Sequence, residues 1–230
     1  MRTILMFSAV LFALAPPWPT SGQGVVVDEG RFRITVAGRA VGTEEFAIRR
    51  AGIGQDDAFF ANAVITLGSS VDRQEISPLL RATPPDGVIA GYQVKVTGRE
   101  ALDLQMTRVG NRYEAVARAP TGDEEREFPA RETSRILDLG VAHHYYFLRD
   151  AREGARIHVI EPRTRTQTTL TVERRSEDEI LLDGRPTEAR RLEFKVDAQV
   201  RIAWYDRLGR VLRVEIPAVG YVAERQDLVG

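Results

Sequence analysis

The chain has 230 residues, 43% hydrophobic and 28% charged, a balance that fits a globular protein and excludes disordered and collagen-like classes. It contains no cysteine, so disulfide frameworks, thiol catalysis, thiolate zinc sites, iron–sulfur clusters and a cysteine-linked lipid anchor are all excluded. The formal net charge is −1 without a dominant block of either sign, which gives no reason to expect a nucleic-acid or anionic-membrane partner.

The first element is an export signal. Arg2 precedes Ile4-Leu5-Met6-Phe7 and Ala9 to Ala15, and the run ends at Pro16-Pro17 and Pro19. About a dozen apolar residues are too few to span a bilayer, which takes about twenty. One positive charge, a short apolar stretch and small residues after it make a cleavable signal peptide over 1–22, with the cut near Thr20-Ser21-Gly22. The expected location is therefore periplasmic or secreted, with residues 23–230 as a single antiparallel β domain and no stable membrane span after cleavage.

Period-two patterning dominates the rest. Phe32, Ile34 and Val36 alternate with arginine and threonine, and Phe59, Ala61, Ala63, Ile65 and Leu67 form a second row. Tyr92, Val94 and Val96 follow, then Leu102, Leu104 and Met106. The longest row is Leu192, Phe194, Val196, Ala198, Val200, Ile202 and Trp204, with a bend or turn expected near Asp197. Successive strand side chains point to opposite faces, so each row predicts one dry face and one wet one. Turn chemistry separates the rows at Ala37-Gly38, Gly110-Asn111, Asp183-Gly184 and Asp206 to Gly209. The fold class is mainly β: an antiparallel meander forming a barrel or half-barrel.

One segment departs from this period. Val141 to Arg152 carries His143-His144-Tyr145-Tyr146-Phe147-Leu148 between Asp138, a candidate cap, and Gly154, a candidate stop. Val141, Tyr145 and Leu148 fall on one face at helical spacing, which predicts one main α-helix of about three turns. The stretch Arg163 to Thr171 holds five threonines and reads as a solvated strand.

Catalytic signatures are absent from the sequence. There is no G-x-S-x-G, no G-x-G-x-x-G, no phosphate loop and no H-E-x-x-H. His143 and His144 are adjacent, about 100° apart on a helix, whereas zinc helices place ligands four residues apart. The expectation is a protein that is not an enzyme and has neither metal nor cofactor. Aromatic residues with polar tips commonly line ligand cavities. The candidate ligand-binding residues are therefore His144, Tyr145, Leu148, Phe194 and Trp204.

Arg201 to Glu215 reads as a strand, a D-x-x-G turn and a second strand. It resembles the closing hairpin of uncharacterised exported bacterial envelope β-proteins. Gly42-Thr43-Glu44-Glu45-Phe46 is similar to their second strand, and Leu137 to Leu148 to their single helix. The resemblance implies an antiparallel sheet wrapped toward a half-barrel. More distantly, the architecture is similar to lipid carriers of the lipoprotein-localisation type, which hold acyl chains in a curved sheet. That likeness implies a hydrophobic small molecule or lipid as ligand and carries over no individual residue. A protein-interaction or structural module of the envelope is the alternative, with an envelope protein as partner, and a hydrolase with dispersed residues comes third.

Overall fold

The computed structural model describes residues 24–85 and 87–228, so the expected signal peptide lies outside the described residues. The fold is mainly β. The first meander runs through β1 (Val25–Val36), β2 (Arg39–Ala51), β3 (Ala58–Leu67), β4 (Gln74–Thr83), β5 (Val88–Thr97), β6 (Leu102–Val109), β7 (Arg112–Ala119) and β8 (Gly122–Pro129). After β9 (Ser134–Ile136) and a 3₁₀ segment (His143–Leu148) comes the second: β10 (Arg156–Glu161), β11 (Thr166–Leu182), β12 (Arg185–Val196), β13 (Gln199–Tyr205), β14 (Val211–Ile216) and β15 (Tyr221–Arg225). All fifteen strands form one sheet in the order β8 to β1, then β15 back to β9. Every pairing is antiparallel except β9 with β10.

The topology dictates the curvature. β8 and β9 are the two outermost strands, yet only residues 130–133 join them. A flat sheet of this size would hold its edges about 65 Å apart at the usual strand spacing. That link can reach no more than about 18 Å. The sheet must therefore roll until its ends meet. Arg126 of β8 donates to the Pro162 carbonyl at 2.6 Å, Gln167 donates to the Pro129 carbonyl at 2.9 Å, and Arg165 pairs with Glu124 at 2.5 Å. These are side-chain contacts rather than a strand ladder, so the sheet is curved and open instead of a closed barrel.

The period-two rows supply the inner wall. Phe32, Ile34, Phe46, Ile48, Ala61, Ile65, Tyr92, Val94, Leu104, Leu192 and Phe194 are all buried in one continuous core. Hairpin chemistry fits the expectations: Ala37 and Gly38 both take positive φ between β1 and β2, as do Asp183 and Gly184 between β11 and β12. Two residues with positive φ match the strand twist, which is why Gly and Asp serve there.

Two expectations are corrected. The predicted three-turn α-helix is a six-residue 3₁₀ segment, and all six residues are buried. An amphipathic helix keeps one wet face, and this segment has none. Its start is also fixed by side-chain bonds to Ala142 and His143 from outside the segment. Histidine, tyrosine and phenylalanine are mediocre helix formers, so nothing local enforces more turns. Second, the turn expected near Asp197 is there, with Asp197 at positive φ, but it makes the row from Leu192 to Trp204 a hairpin whose second arm does not keep the face expected for Trp204. Leu192 faces Ala203 and Phe194 faces Arg201, so the turn reverses the phase. Trp204 and Ile202 thereby join the outer face, in a separate cluster with Ile180, Leu182, Ala189 and Leu212.

Candidate functional site

The 3₁₀ segment plugs the interior of the roll, and a polar cluster surrounds its start. Glu44, on β2 in phase with Phe46 and Ile48, is fully buried. Its carboxylate accepts from the Ala142 and His143 backbone N–H groups at 2.8 and 2.9 Å and from His143 Nδ1 at 2.7 Å. Three donors on one carboxylate tie the plug to the first meander. The His143 ring stacks on Phe46, which stacks on Phe32.

His144 turns the other way. Its ring meets Tyr92 edge to face, and its Nδ1 accepts a long 3.4 Å bond from the Asp138 N–H. The Tyr92 hydroxyl donates to Asp138 at 2.6 Å, and Arg163 Nε donates to the same oxygen at 2.6 Å. Arg163 also bonds the Leu139 carbonyl. Burial holds His144 well below the ordinary histidine range, with smaller pushes from His143 and Arg163. Burial likewise raises Tyr92 far above the usual phenol value, and the neighbouring Asp138 charge adds to it. His143 Nε2, His144 Nε2 and the Tyr221 hydroxyl are buried without a hydrogen-bond partner among the described residues.

The far end of the plug is anchored to the second meander. The Tyr205 hydroxyl donates to the Tyr145 carbonyl at 2.9 Å, and Arg190 donates to the Arg149 carbonyl at 2.9 Å. Tyr145 also packs edge to face on Phe194. Of the five predicted ligand residues, His144, Tyr145, Leu148 and Phe194 thus meet in one interior. Trp204 stands apart on the outer face, where its Nε1 donates to Asp178 at 2.9 Å.

Open space lies beside the plug. A cleft of about 280 Å³ has an apolar floor of Pro85, Phe147, Leu148, Ala151 and Ile157. Arg135, Arg149 and Arg156 stand around it with one carboxylate, Asp150. Arg156 also lines a second cleft of about 430 Å³ whose walls are polar: Gln167, Thr168, Thr169, Thr171, Lys195 and Asp197. The threonine tract singled out in the sequence forms the larger part of that wall. A third cleft of about 650 Å³ lies under the β11–β12 hairpin, between Glu177, Glu188, Arg190 and Tyr205.

Among the described residues no group of three or more His, Asp or Glu side chains is arranged to hold a metal ion. His158 sits apart from the other two histidines, bonded to Arg131 at 2.8 Å and to Thr169 at 3.0 Å. Burial and then the neighbouring arginines keep its pKa below the ordinary value. No helix among the described residues is long and apolar enough to cross a membrane.

Glu44, Asp138 and Arg163 were not among the sequence candidates. Glu44 carried a signal, since it is an acid in phase with Phe46 and Ile48 on the dry face of β2. The sequence marks Asp138 as a candidate helix cap, and nothing in it brings Arg163 there.

No family model matches the chain, and no curated protein matches it. Among solved structures it is similar to a β-barrel-like protein of domain of unknown function DUF1849 from Brucella abortus. The TM-score is 0.52 at 6% identity, covering 86% of this chain and 94% of that one. Such a likeness speaks for the fold. It supports a barrel-like β architecture for both chains.

Proposed function

We propose that this chain is an exported, non-catalytic binding protein of the cell envelope, which holds a lipid-like amphipathic ligand in its curved sheet beside the plug. The observation that carries the reading is the cleft at the end of the 3₁₀ segment, with an apolar floor and arginines around it. Apolar surface adjoining a few fixed polar groups is the usual make-up of a small-molecule site. Leu148, expected to touch ligand, lines this cleft. His144, Tyr145 and Phe194 are buried in the interior and do not line it. The signal-like residues 1–22 and the lack of any reaction motif agree with an exported carrier or sensor.

Native mass spectrometry tests this on protein purified from an envelope-competent host and on protein incubated with single-chain C12 amphiphiles. The expected result is a bound amphiphile at one per chain, lost in Ala151→Trp, which fills the cleft. A chain that emerges empty and takes up no amphiphile overturns the reading. The projecting β11–β12 hairpin favours a second reading, a docking module for an envelope protein, since Leu181 near its tip is 61% exposed.

A further inference from the structure

The two clefts that share Arg156 differ sharply in chemistry. The first is floored by carbon: Phe147, Leu148, Ala151 and Ile157. The second is walled by hydroxyl and amide groups, Gln167, Thr168, Thr169 and Thr171, with Lys195 at its side. Thr169 and Thr171 stand on the same face of the β10–β11 ladder as Arg156, whereas Thr168, paired with Val159, turns its hydroxyl toward the core. Arginines outnumber the single carboxylate in the first cleft. In the second, Lys195 is paired with Glu173 at 2.9 Å, which leaves Arg156 as the cation shared by the two clefts. Arg156 opens β10, so its side chain leaves the sheet where the plug's exit turn reaches the strand, and it is exposed.

Resting on the proposed function, we infer that the two clefts form one bipartite site for an anionic amphiphile with a hydroxyl-bearing head. The acyl chain lies over Leu148 and Ile157. The anionic group, a phosphate or carboxylate, meets Arg156 at the junction. The hydroxylated head lies along Thr169 and Thr171, whose hydroxyls both donate and accept. A guanidinium suits the junction because its fork binds oxyanions through two parallel bonds while its stem tolerates apolar surface. A neutral amphiphile would satisfy the floor and leave the cations unused, and a free anion would do the reverse.

Three probes separate these contributions by isothermal titration: monoacyl phosphatidylglycerol, dodecyl maltoside and glycerol 3-phosphate. The first has tail, charge and hydroxyls, the second lacks charge, and the third lacks the tail. The monoacyl phosphatidylglycerol is expected to bind at one per chain, at least about tenfold more tightly than either of the others, since one charge-assisted bond is worth about that factor. Arg156→Ala should bring the ratio between the first two probes toward one, and Arg156→Lys should restore part of it. Thr171→Val should weaken the first probe by a few-fold. Arg185→Ala, at the distant β11–β12 turn, should change nothing. Circular dichroism checks that each variant folds.

If the two amphiphiles bind equally and Arg156→Ala leaves their ratio alone, the bipartite site is wrong while the amphiphile reading stands. If glycerol 3-phosphate binds as tightly as the tailed probe, the site takes free anions and the joint site is wrong. If none of the three binds, both the inference and the reading beneath it fall.

Discussion

Glu44 is the residue on which the interior turns. A carboxylate with no exposure is costly unless its oxygens are fully engaged, and here it receives three N–H donors from one short segment. Removing it strands those donors in an apolar roll. Glu44→Ala should cost about 3 kcal/mol or more in urea unfolding, because each unpaired buried donor costs about 1–3 kcal/mol. Glu44→Gln keeps one oxygen acceptor and should cost less. Equal losses for the two would mean that volume, not hydrogen bonding, is what Glu44 contributes. His144 gives the cluster a pH dependence. Its folded pKa lies well below the unfolded value of about 6.5, mainly through burial. The unfolded chain therefore binds the proton more readily. The associated stability is complete above about pH 6.5 and is lost as pH falls below it, by about 1.4 kcal/mol per pH unit for one such group. Stability measured between pH 7 and 5 should show that slope, and His144→Gln should flatten it. An unchanged slope in the variant would place the effect on other groups.

At the scale of elements, the β11–β12 hairpin outgrows its neighbours. β10 pairs with β11 only through Thr166 to Thr171, and β13 pairs with β12 only from Arg190 to Val196. The remainder, up to Asp183-Gly184, is a two-stranded arm, and such ribbons are marginal by themselves. Its outer face holds by packing Ile180, Leu182 and Ala189 against Trp204 and Leu212, with the Trp204–Asp178 bond as a tether. Trp204→Ala should release it. Hydrogen exchange is expected to speed over residues 174–189 while β1 to β5 stay protected, with a global loss of about 3 kcal/mol at most. Uniform acceleration through the sheet would refute a locally held arm. This cluster also shows where the sequence is legible and where it is not. The rows through Phe32, Phe59, Tyr92 and Leu192 gave strands and faces, because the pleat ties side chain to face without reference to anything distant. In the row through Trp204 the turn near Asp197 was legible from the row's length, but the alternation runs unbroken across it, and only a folded hairpin shows the phase reversing. The plug misled for the opposite reason. His143 to Leu148 has helical spacing, but tertiary bonds from Glu44, Tyr205 and Arg190 decide its geometry. Four of the five candidate ligand residues do converge, since aromatic side chains seek the same dry interior. The clefts around Arg156 were invisible because their walls come from the plug, β10, β11 and β12 at once.

At the scale of the whole molecule, the two meanders share a strand ladder, among the described residues, only where β1 pairs with β15. β15 has five residues, and its Ala223, fully buried, faces Ile34 on one side and Val214 on the other. Elsewhere the halves are joined by the plug and by the rim contacts of Arg126, Arg165 and Gln167. Arg225 strengthens the seam: it is 1% exposed, forks onto Asp28 at 2.8 and 3.0 Å, and reaches Asp227. Gly30 leaves room for this, since a Cβ there would lie 2.4 Å from the Asp227 carboxylate. A seam between segments nearly 200 residues apart forms late and makes each half depend on the other, as non-local pairing must. The chain should therefore unfold as one unit. In protein beginning after residue 22, Trp204 is the sole tryptophan and reports on the second meander, whereas circular dichroism sums both. The two signals should give coincident urea transitions. Ala223→Asp should abolish the transition in both, because it places an unpaired charge at the seam with no room to reach water. If the tryptophan transition persists in that variant, or if the two signals separate in the parent chain, the meanders are independent bodies and the roll is only their association.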